Sequence, residues 1–311
     1  MTASSQDSII RCPAPAVDKL DKHGYLFGYP IAHSMSPLMH QTVFNGLGLN
    51  WSQQLLPSTD MDQFLQLIRD PRLFGSSITM PHKLAIMPHL DDLTPECKAI
   101  GACNTIFRRG SQLVGTNTDT IGVRESFFQN VSSDVFRGRP GMVIGGGGAA
   151  RSAVYALVQF MKCSTVYLVN RDAAEVESVI SWCKDQGYGD GLVYVSNAAQ
   201  AEALQGPGAI VSCVPNYPPV TEAEKEARKV TEVFLNKPQK GAILEMCYHP
   251  VVWTDIAELS KQAGWQVIIG TEAVIYQGLE ADRLWTGKEL ADLPADEVKR
   301  VIANELSKMK I

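Results

Sequence analysis

The sequence predicts an α/β protein in two halves, each built around a sheet whose strands are joined by helices. Three observations carry this reading. Short apolar, β-rich runs alternate with longer helical patterns, the signature of strands connected by right-handed helical crossovers. One of those runs, Met142–Ile144, passes straight into a four-glycine loop and then a helical pattern. The chain has 311 residues, a length that suits two domains at roughly 150 residues each.

Taken in order, Tyr25–Phe27 reads as a strand leading into a helix near Ser36, with Pro37 placed for a first helical position. Phe74–Met80 reads as a strand followed by a helical stretch over Pro81–Leu90. The turn-rich Arg137–Gly141 marks the junction between the halves. Beyond it the alternation is regular. Met142–Ile144 leads into a helix over Ala149–Met161, and Val166–Val169 into a helix reaching about Gln186. Leu192–Val195, Ala209–Cys213, Ala242–Met246 and Gln266–Ile269 read as further strands of a parallel sheet. Thr221 and Glu224 form a capping box that opens a helix over Thr221–Leu235. Pro294 starts a last helix, whose stripe of Val298, Val301, Ile302, Leu306 and Met309 needs a partner surface.

Composition narrows the function. Lys plus Arg number 28 and Asp plus Glu 33, a net charge of −5, with 45% hydrophobic and 20% charged residues. That balance argues against nucleic acid as the partner, which needs clustered cations. No run of 18 apolar residues occurs, so no membrane span is expected. Seven cysteines, none in a C-x-x-C pair, read as small buried residues of a reducing compartment, and the start of the chain lacks a signal-peptide pattern. A cytoplasmic protein is expected.

The glycine loop fits G-x-G-x-x-A at Gly145, Gly147 and Ala150. Gly145 permits the tight turn, Gly147 lets backbone approach a pyrophosphate, and Ala150 lets helix and strand pack closely. The helix start adds free N–H groups and a positive dipole end. Between two strands this is a dinucleotide site. Asn170-Arg171-Asp172 begins 25 positions after Gly145, where an acid holds the ribose 2′-hydroxyl or an Arg holds a 2′-phosphate. Arg171 favours NADP and Asp172 favours NAD. Asp172 with Glu175 also reads as a plain helix cap. NAD is the expected cofactor, with NADP the alternative.

Polar clusters follow the strands of the first half. Ser34 and Ser36 suit a carboxylate or hydroxyl, or simply an N-cap. Lys83, in Thr79-Met80-Pro81-His82-Lys83, is either a surface charge or a proton-transfer group. Asn104 and Asp119 lie in the glycine-bounded runs Gly101–Thr105 and Gly115–Asp119. No metal-ligand spacing appears among His23, His33, His40, His82, His89 and His249, so no metal is expected.

Six motifs in order, GYPIAHSMSPLMH, SSITMPHK, IGACNT, GTNTDTIG, GGGGAARSA and YQGLEADRLWTG, resemble the shikimate/quinate dehydrogenase family over about residues 24–290. The texture of TMPHK, IGACNTIF, PGMVIGGGG, VNRD and LEMCYHP is most similar to its fungal quinate members. The resemblance implies that Lys83 and Asp119 are the catalytic pair at the hydroxyl oxidised. It implies that Ser34 and Ser36 meet the substrate carboxylate, that Thr79, Asn104 and Gln277 bind ring hydroxyls, and that Tyr248 lies beside nicotinamide or substrate. Gly145, Gly146, Gly147, Gly148 and Ala149 would cradle the pyrophosphate. Asn170, Arg171 and Asp172 would hold the adenosine ribose, and Gly270 would belong to the cofactor side. Oxidising a secondary alcohol needs a hydride acceptor and the removal of one proton. Lysine ordinarily titrates near pH 10.4 and is a poor base at neutral pH when free. The base is therefore read as the coupled pair.

Three departures qualify the resemblance. Val251-Val252-Trp253-Thr254-Asp255 replaces the T-P-L-L that many members carry. Pro215–Lys240 is long and charged and has no assignable function. Ser36 is the residue typical of shikimate enzymes, where some quinate-preferring relatives carry Thr or Gly.

The expected domains are a substrate-binding domain at 22–125, a Rossmann-type domain at 126–270, helices over 271–311 packing back on the first, and a loose tail at 1–21. The active site would sit in the interdomain cleft. The leading function is oxidation of quinate, and also of shikimate, with NAD, by a monomer or homodimer. The alternatives are an NADP-dependent shikimate dehydrogenase and a non-catalytic regulator of quinate use. The regulator should have lost Lys83, Asp119 or the glycine loop, and all three are present.

Overall fold

The computed structural model describes residues 9–308. Two six-stranded sheets form its frame. The first contains β1 (Lys22–Gly28), β2 (Trp51–Pro57), β3 (Leu73–Ile78), β4 (Asp92–Leu93), β5 (Thr105–Arg109) and β6 (Gln112–Thr116), in the order β2-β1-β3-β5-β6-β4. It carries α1 (Ser36–Gly46), α2 (Met61–Leu67), α3 (Pro95–Ile100) and α4 (Asp119–Asn130). The expectation of parallel strands holds for β1 with β2 and β3 and fails at β5, which runs antiparallel to both β3 and β6. The cause is local. Only Gly110 and Ser111 separate β5 from β6, and so short a link closes an antiparallel hairpin. Gly110, at φ +64°, supplies the left-handed turn.

The second sheet is parallel throughout: β7 (Gly141–Ile144), β8 (Val166–Val169), β9 (Leu192–Tyr194), β10 (Ala209–Ser212), β11 (Ala242–Glu245) and β12 (Gln266–Ile269), ordered β12-β11-β10-β7-β8-β9. Its four inner strands, β7, β8, β10 and β11, are buried throughout, as two-sided coverage requires, while the edge strands β9 and β12 are partly exposed. The covering helices are α5 (Gly148–Tyr155), α6 (Ala173–Asp185), α7 (Ala198–Ala203), α8 (Glu222–Leu235) and α9 (Asp255–Gln262). Chain order reverses between β7 and β10. A doubly wound sheet opens a crevice at that switch point, outside the strand ends. After β12 the chain returns through α10 (Gly270–Thr286) and α11 (Ala295–Lys308).

Several expectations change. Pro81–Leu90 is not a helix. Pro81 and Pro88 lack the N–H that a continuing helix needs, and only Met87–His89 forms a short 3₁₀ turn. The helix expected over Ala149–Met161 is α5, which widens into a π turn at Ala156–Phe160, where Met161 N donates to Ala156 O at 2.9 Å. The described part of the expected loose tail is tied down. Ile10 N donates to Thr59 Oγ1 at 2.8 Å and Gln63 Nε2 to the Cys12 carbonyl at 2.7 Å; residues 1–8 lie outside the described residues. The limit expected between 125 and 126 falls inside α4, which is unbroken. Its first residue, Asp119, belongs to the substrate side, while Val123 and Phe127 pack into the core of the second sheet. The C-terminal stripe finds its partner: Val298 and Ile302 pack on Met39 and Val43 of α1 and Leu279 of α10, and Met309 lies outside the described residues.

Candidate active site between the two sheets

The end of β3 delivers Thr79, whose N–H donates to the Phe27 carbonyl at 2.9 Å. The following turn carries Lys83, and its carbonyl accepts from Cys103 N at 2.8 Å, fixing that turn against the next segment. Asp119 opens α4. The Lys83 ammonium donates to Asp119 Oδ2, and the two side chains are 17% and 11% exposed. Asn104 organises the other side of the pair. Its Nδ2 reaches Asp119 Oδ1 at 2.8 Å, Thr118 Oγ1 at 3.0 Å and Gln277 Oε1 at 3.2 Å, while its Oδ1 accepts from Thr118 N at 2.7 Å. The carboxylate is therefore held at both oxygens.

Nine of the expected residues line one cavity of about 170 Å³: Ser34, Ser36, Thr79, Lys83, Asn104, Asp119, Tyr248, Gly270 and Gln277. Hydroxyls and amides with one ammonium and one carboxylate share the lining with Leu26, Ile78, Met246, Ala273 and Val274, which suits a small polyhydroxylated ring. Ser34 also serves its helix, accepting from Ser36 N at 3.2 Å. Burial raises the Tyr248 hydroxyl above its ordinary pKa, so it stays a neutral donor. Gly270, expected on the cofactor side, lines this cavity beside Met246 and Tyr248. It is a position of close approach: a Cβ there would lie 2.4 Å from the Met246 carbonyl.

Sequence reasoning missed a relay behind the serines. Ser36 Oγ donates to Gln53 Oε1 at 2.8 Å, and Gln53 Nε2 donates to Ser77 Oγ at 2.9 Å. Gln53 is only 3% exposed in the middle of β2, and Ser77 lines the cavity. A buried glutamine in a polar strand has no motif, so nothing flagged it.

A second pocket, of about 460 Å³, opens at the switch point of the parallel sheet. Gly145, Gly146, Gly147, Asn170 and Arg171 line it as expected. Gly145 turns at φ +125°, and nothing lies within 4 Å of a Cβ built on Gly147. No side chain caps the start of α5, so its first N–H groups point free into the loop. This open cradle fits the pyrophosphate of a dinucleotide. Gly148 and Ala149 do not line the pocket. Gly148 instead lies against the lysine, with Lys83 Cδ 3.5 Å from where its Cβ would be, so the Lys83–Asp119 pair stands beside the glycine-loop helix. Asp172 is also absent from the lining. Its Oδ1 accepts from Ala174 N at 2.9 Å and Glu175 N at 3.3 Å, so through that oxygen it caps α6.

Two further features escaped the sequence. The unassigned stretch Pro215–Lys240 forms one wall of this pocket through Pro215, Tyr217, Glu224, Arg228 and Thr231. Glu245, at the end of β11, lies 1% exposed in the same wall. Its Oε1 accepts from Cys247 N at 3.0 Å and its Oε2 has no partner. Burial pushes this carboxyl up to about 7 from 4.5. Between about pH 4.5 and 7 the folded protein then holds a proton that the unfolded chain has released, so stability falls as pH rises through that window. The effect reaches about 3 kcal/mol. Thermal unfolding of the wild type should lose stability from pH 5 to 8 relative to Glu245→Gln. Parallel profiles for the two proteins would refute this.

Comparison with known proteins follows the same lines. Residues 26–106 match the family described as shikimate dehydrogenase substrate binding domain. The quinate dehydrogenase of Emericella nidulans is 45% identical, over 94% of this chain and 97% of that protein. The pentafunctional AROM polypeptide of Lachancea thermotolerans is 35% identical over 86% of this chain, which spans only 17% of that polypeptide. The solved shikimate 5-dehydrogenase of Thermus thermophilus, in complex with NADP(H) and shikimate, superposes with a TM-score of 0.70 at 27% identity, covering 90% of this chain and 99% of that one. A near-full-length relative at 45% identity, the matched substrate-binding segment and a shared two-sheet fold place the chain in the shikimate/quinate dehydrogenase family, NAD(P)-dependent oxidoreductases that act on a CH–OH group.

Proposed function

We propose that this protein is an NAD-dependent quinate dehydrogenase, converting quinate to 3-dehydroquinate and also accepting shikimate. The observation that carries the reading is the convergence of Lys83, Asp119, Asn104, Thr79, Ser36 and Gln277 on one small cavity, with the lysine against the start of the glycine-loop helix. Substrate binding belongs to residues 22–125 with the returning helices α10 and α11, and cofactor binding to 126–270, with α4 as their common wall. The protein works as a monomer or homodimer on a small-molecule substrate. Its seven cysteines are free thiols, which fits the cytoplasm.

Bound NAD supplies the hydride acceptor. The protein orients the substrate hydroxyl and handles its proton. Ser34 and Ser36 receive the carboxylate end of the ring, and Thr79, Asn104 and Gln277 take its hydroxyls. The reacting hydroxyl meets the Lys83–Asp119 pair, which takes up its proton as one unit, and the ammonium stabilises charge growing on oxygen as the C–H bond breaks. Asn104, bonded to both Asp119 and Gln277, ties the orientation of the ring to that of the base.

NAD is favoured over NADP by the charges at the ribose end. Glu175 and Glu224 both line the pocket and would repel a 2′-phosphate. Ser36 and Arg171 are the features that favour the alternative, an NADP-dependent shikimate enzyme. Initial rates at 340 nm, crossing quinate or shikimate with NAD or NADP, decide between them. The highest kcat/KM is expected for quinate with NAD. A higher value for shikimate with NADP would replace this reading, and no turnover in any combination would favour the regulator.

A further inference from the structure

The cofactor pocket contains a salt bridge that the reaction does not use. Arg171 follows β8, and its Nη1 donates to Oε1 of Glu224, 53 residues later in α8. The two partners are unequal. Glu224 is fixed: its Oε2 accepts from Val220 N and Thr221 N, both at 2.9 Å, while Thr221 Oγ1 accepts from Glu224 N at 3.2 Å. These backbone donors, with the guanidinium, pull its carboxyl down to about 2, so it is charged throughout the neutral range. Arg171 is the adjustable member, a long side chain 65% exposed. Its planar fork is the group best suited to grip a phosphate. It also stands where this type of sheet reads the 2′ position of the adenosine ribose.

The surroundings reinforce the point. Asn170 Nδ2 donates to Glu175 Oε2 at 2.7 Å, so the second polar group of this turn is also engaged by a carboxylate. Asp172 is occupied as a helix cap. One oxygen of the acid that the sequence offered for ribose selection is thus taken by its own helix, and the acid that holds Arg171 comes from a distant helix.

We propose that Glu224 is a cofactor-specificity residue: it holds Arg171 in a salt bridge at the ribose end of the pocket, withholds that guanidinium from a 2′-phosphate, and so selects the unphosphorylated cofactor. The inference rests on the NAD reading above and assigns it to a residue of the α8 segment.

The test titrates adenosine 2′,5′-bisphosphate and adenosine 5′-monophosphate calorimetrically into the wild type, Glu224→Gln, Arg171→Ala and the double variant. Glutamine keeps an acceptor for the Val220 and Thr221 N–H groups and removes the charge. In Glu224→Gln the preference for bisphosphate over monophosphate should rise about ten-fold, the value of one charge-assisted phosphate contact. Adding Arg171→Ala should abolish that gain. Arg171→Ala alone should leave the preference at the wild-type value, because the guanidinium is already withheld. The proposal is overturned if Glu224→Gln unfolds at the wild-type temperature with an unchanged preference, if the gain survives loss of Arg171, or if Arg171→Ala alone lowers the preference ten-fold. The NAD reading fails separately, if wild-type kcat/KM is higher with NADP than with NAD.

Discussion

Replacing Lys83 by alanine should lower kcat by about two to four orders of magnitude, the usual worth of a positioned proton-transfer group. Affinity for NAD, read by fluorescence titration, should stay near the wild-type value, because the pocket at the switch point is lined by other residues. The variant should fold: Lys83 sits in a turn held by its own backbone, through Cys103 N on its carbonyl. Asp119→Asn should cost a comparable factor, since it removes the charge that the ammonium faces and leaves the Asn104 contact in place. The decisive comparison is the double variant. If the two side chains act as one acid–base unit, removing both costs little more than removing either, well short of the product of the single effects. Near-normal turnover of Lys83→Ala would remove the pair from the mechanism, and multiplicative losses would separate its members into independent roles.

The parts of this molecule that sequence reading reached are those whose physics is local. The strands Val166–Val169 and Gln266–Ile269 are short runs dominated by β-branched apolar residues, and their limits agree with the structure. The capping box of Thr221 and Glu224 is likewise a contact between residues three apart. What escaped reading depends on chain segments distant in sequence. β2 is polar, and Gln53 makes sense within it only once Ser36 and Ser77 close on either side. Asp172 had two local fates, ribose ligand or helix cap, and the cap requires only its own helix. The α8 segment could be assigned nothing until the sheet brought Glu224 to Arg171. For the catalytic site, residue types pointed to the participants, but their geometry depends on Asn104, which joins β5's approach to α4 and α10.

A buried hydrogen-bonded pair should set the stability of the helical wall that carries Gln277. His40 of α1 and Asp282 of α10 lie 242 residues apart in sequence, with Nδ1 and Oδ1 at 2.8 Å and both side chains at 0% exposure. Around them α10 presses close on α1: a Cβ on Gly278 would sit 2.1 Å from Met39 Cε, and the His40 ring packs 4.7 Å from that of Trp285. Burial raises the Asp282 carboxyl above its usual range, while the histidine opposes that rise. The pair is barely satisfied, because His40 Nε2 and Asp282 Oδ2 have no partner. Removing one member therefore leaves the other buried without its partner. Asp282→Ala or His40→Ala should each destabilise the protein by about 3–5 kcal/mol, read by urea unfolding. Replacing both with apolar residues of similar volume should recover most of that loss, since the cost lies in the uncompensated survivor and not in the missing attraction. The same variants separate stability from chemistry. α10 also brings Gln277 to Asn104, so a wall that shifts when the pair breaks raises KM for quinate, whereas a wall held by the Met39, Val43 and Leu279 packing keeps KM and loses only stability. Single substitutions that each cost under about 1 kcal/mol would mean that apolar packing alone fixes α10, with the His40–Asp282 contact a bystander.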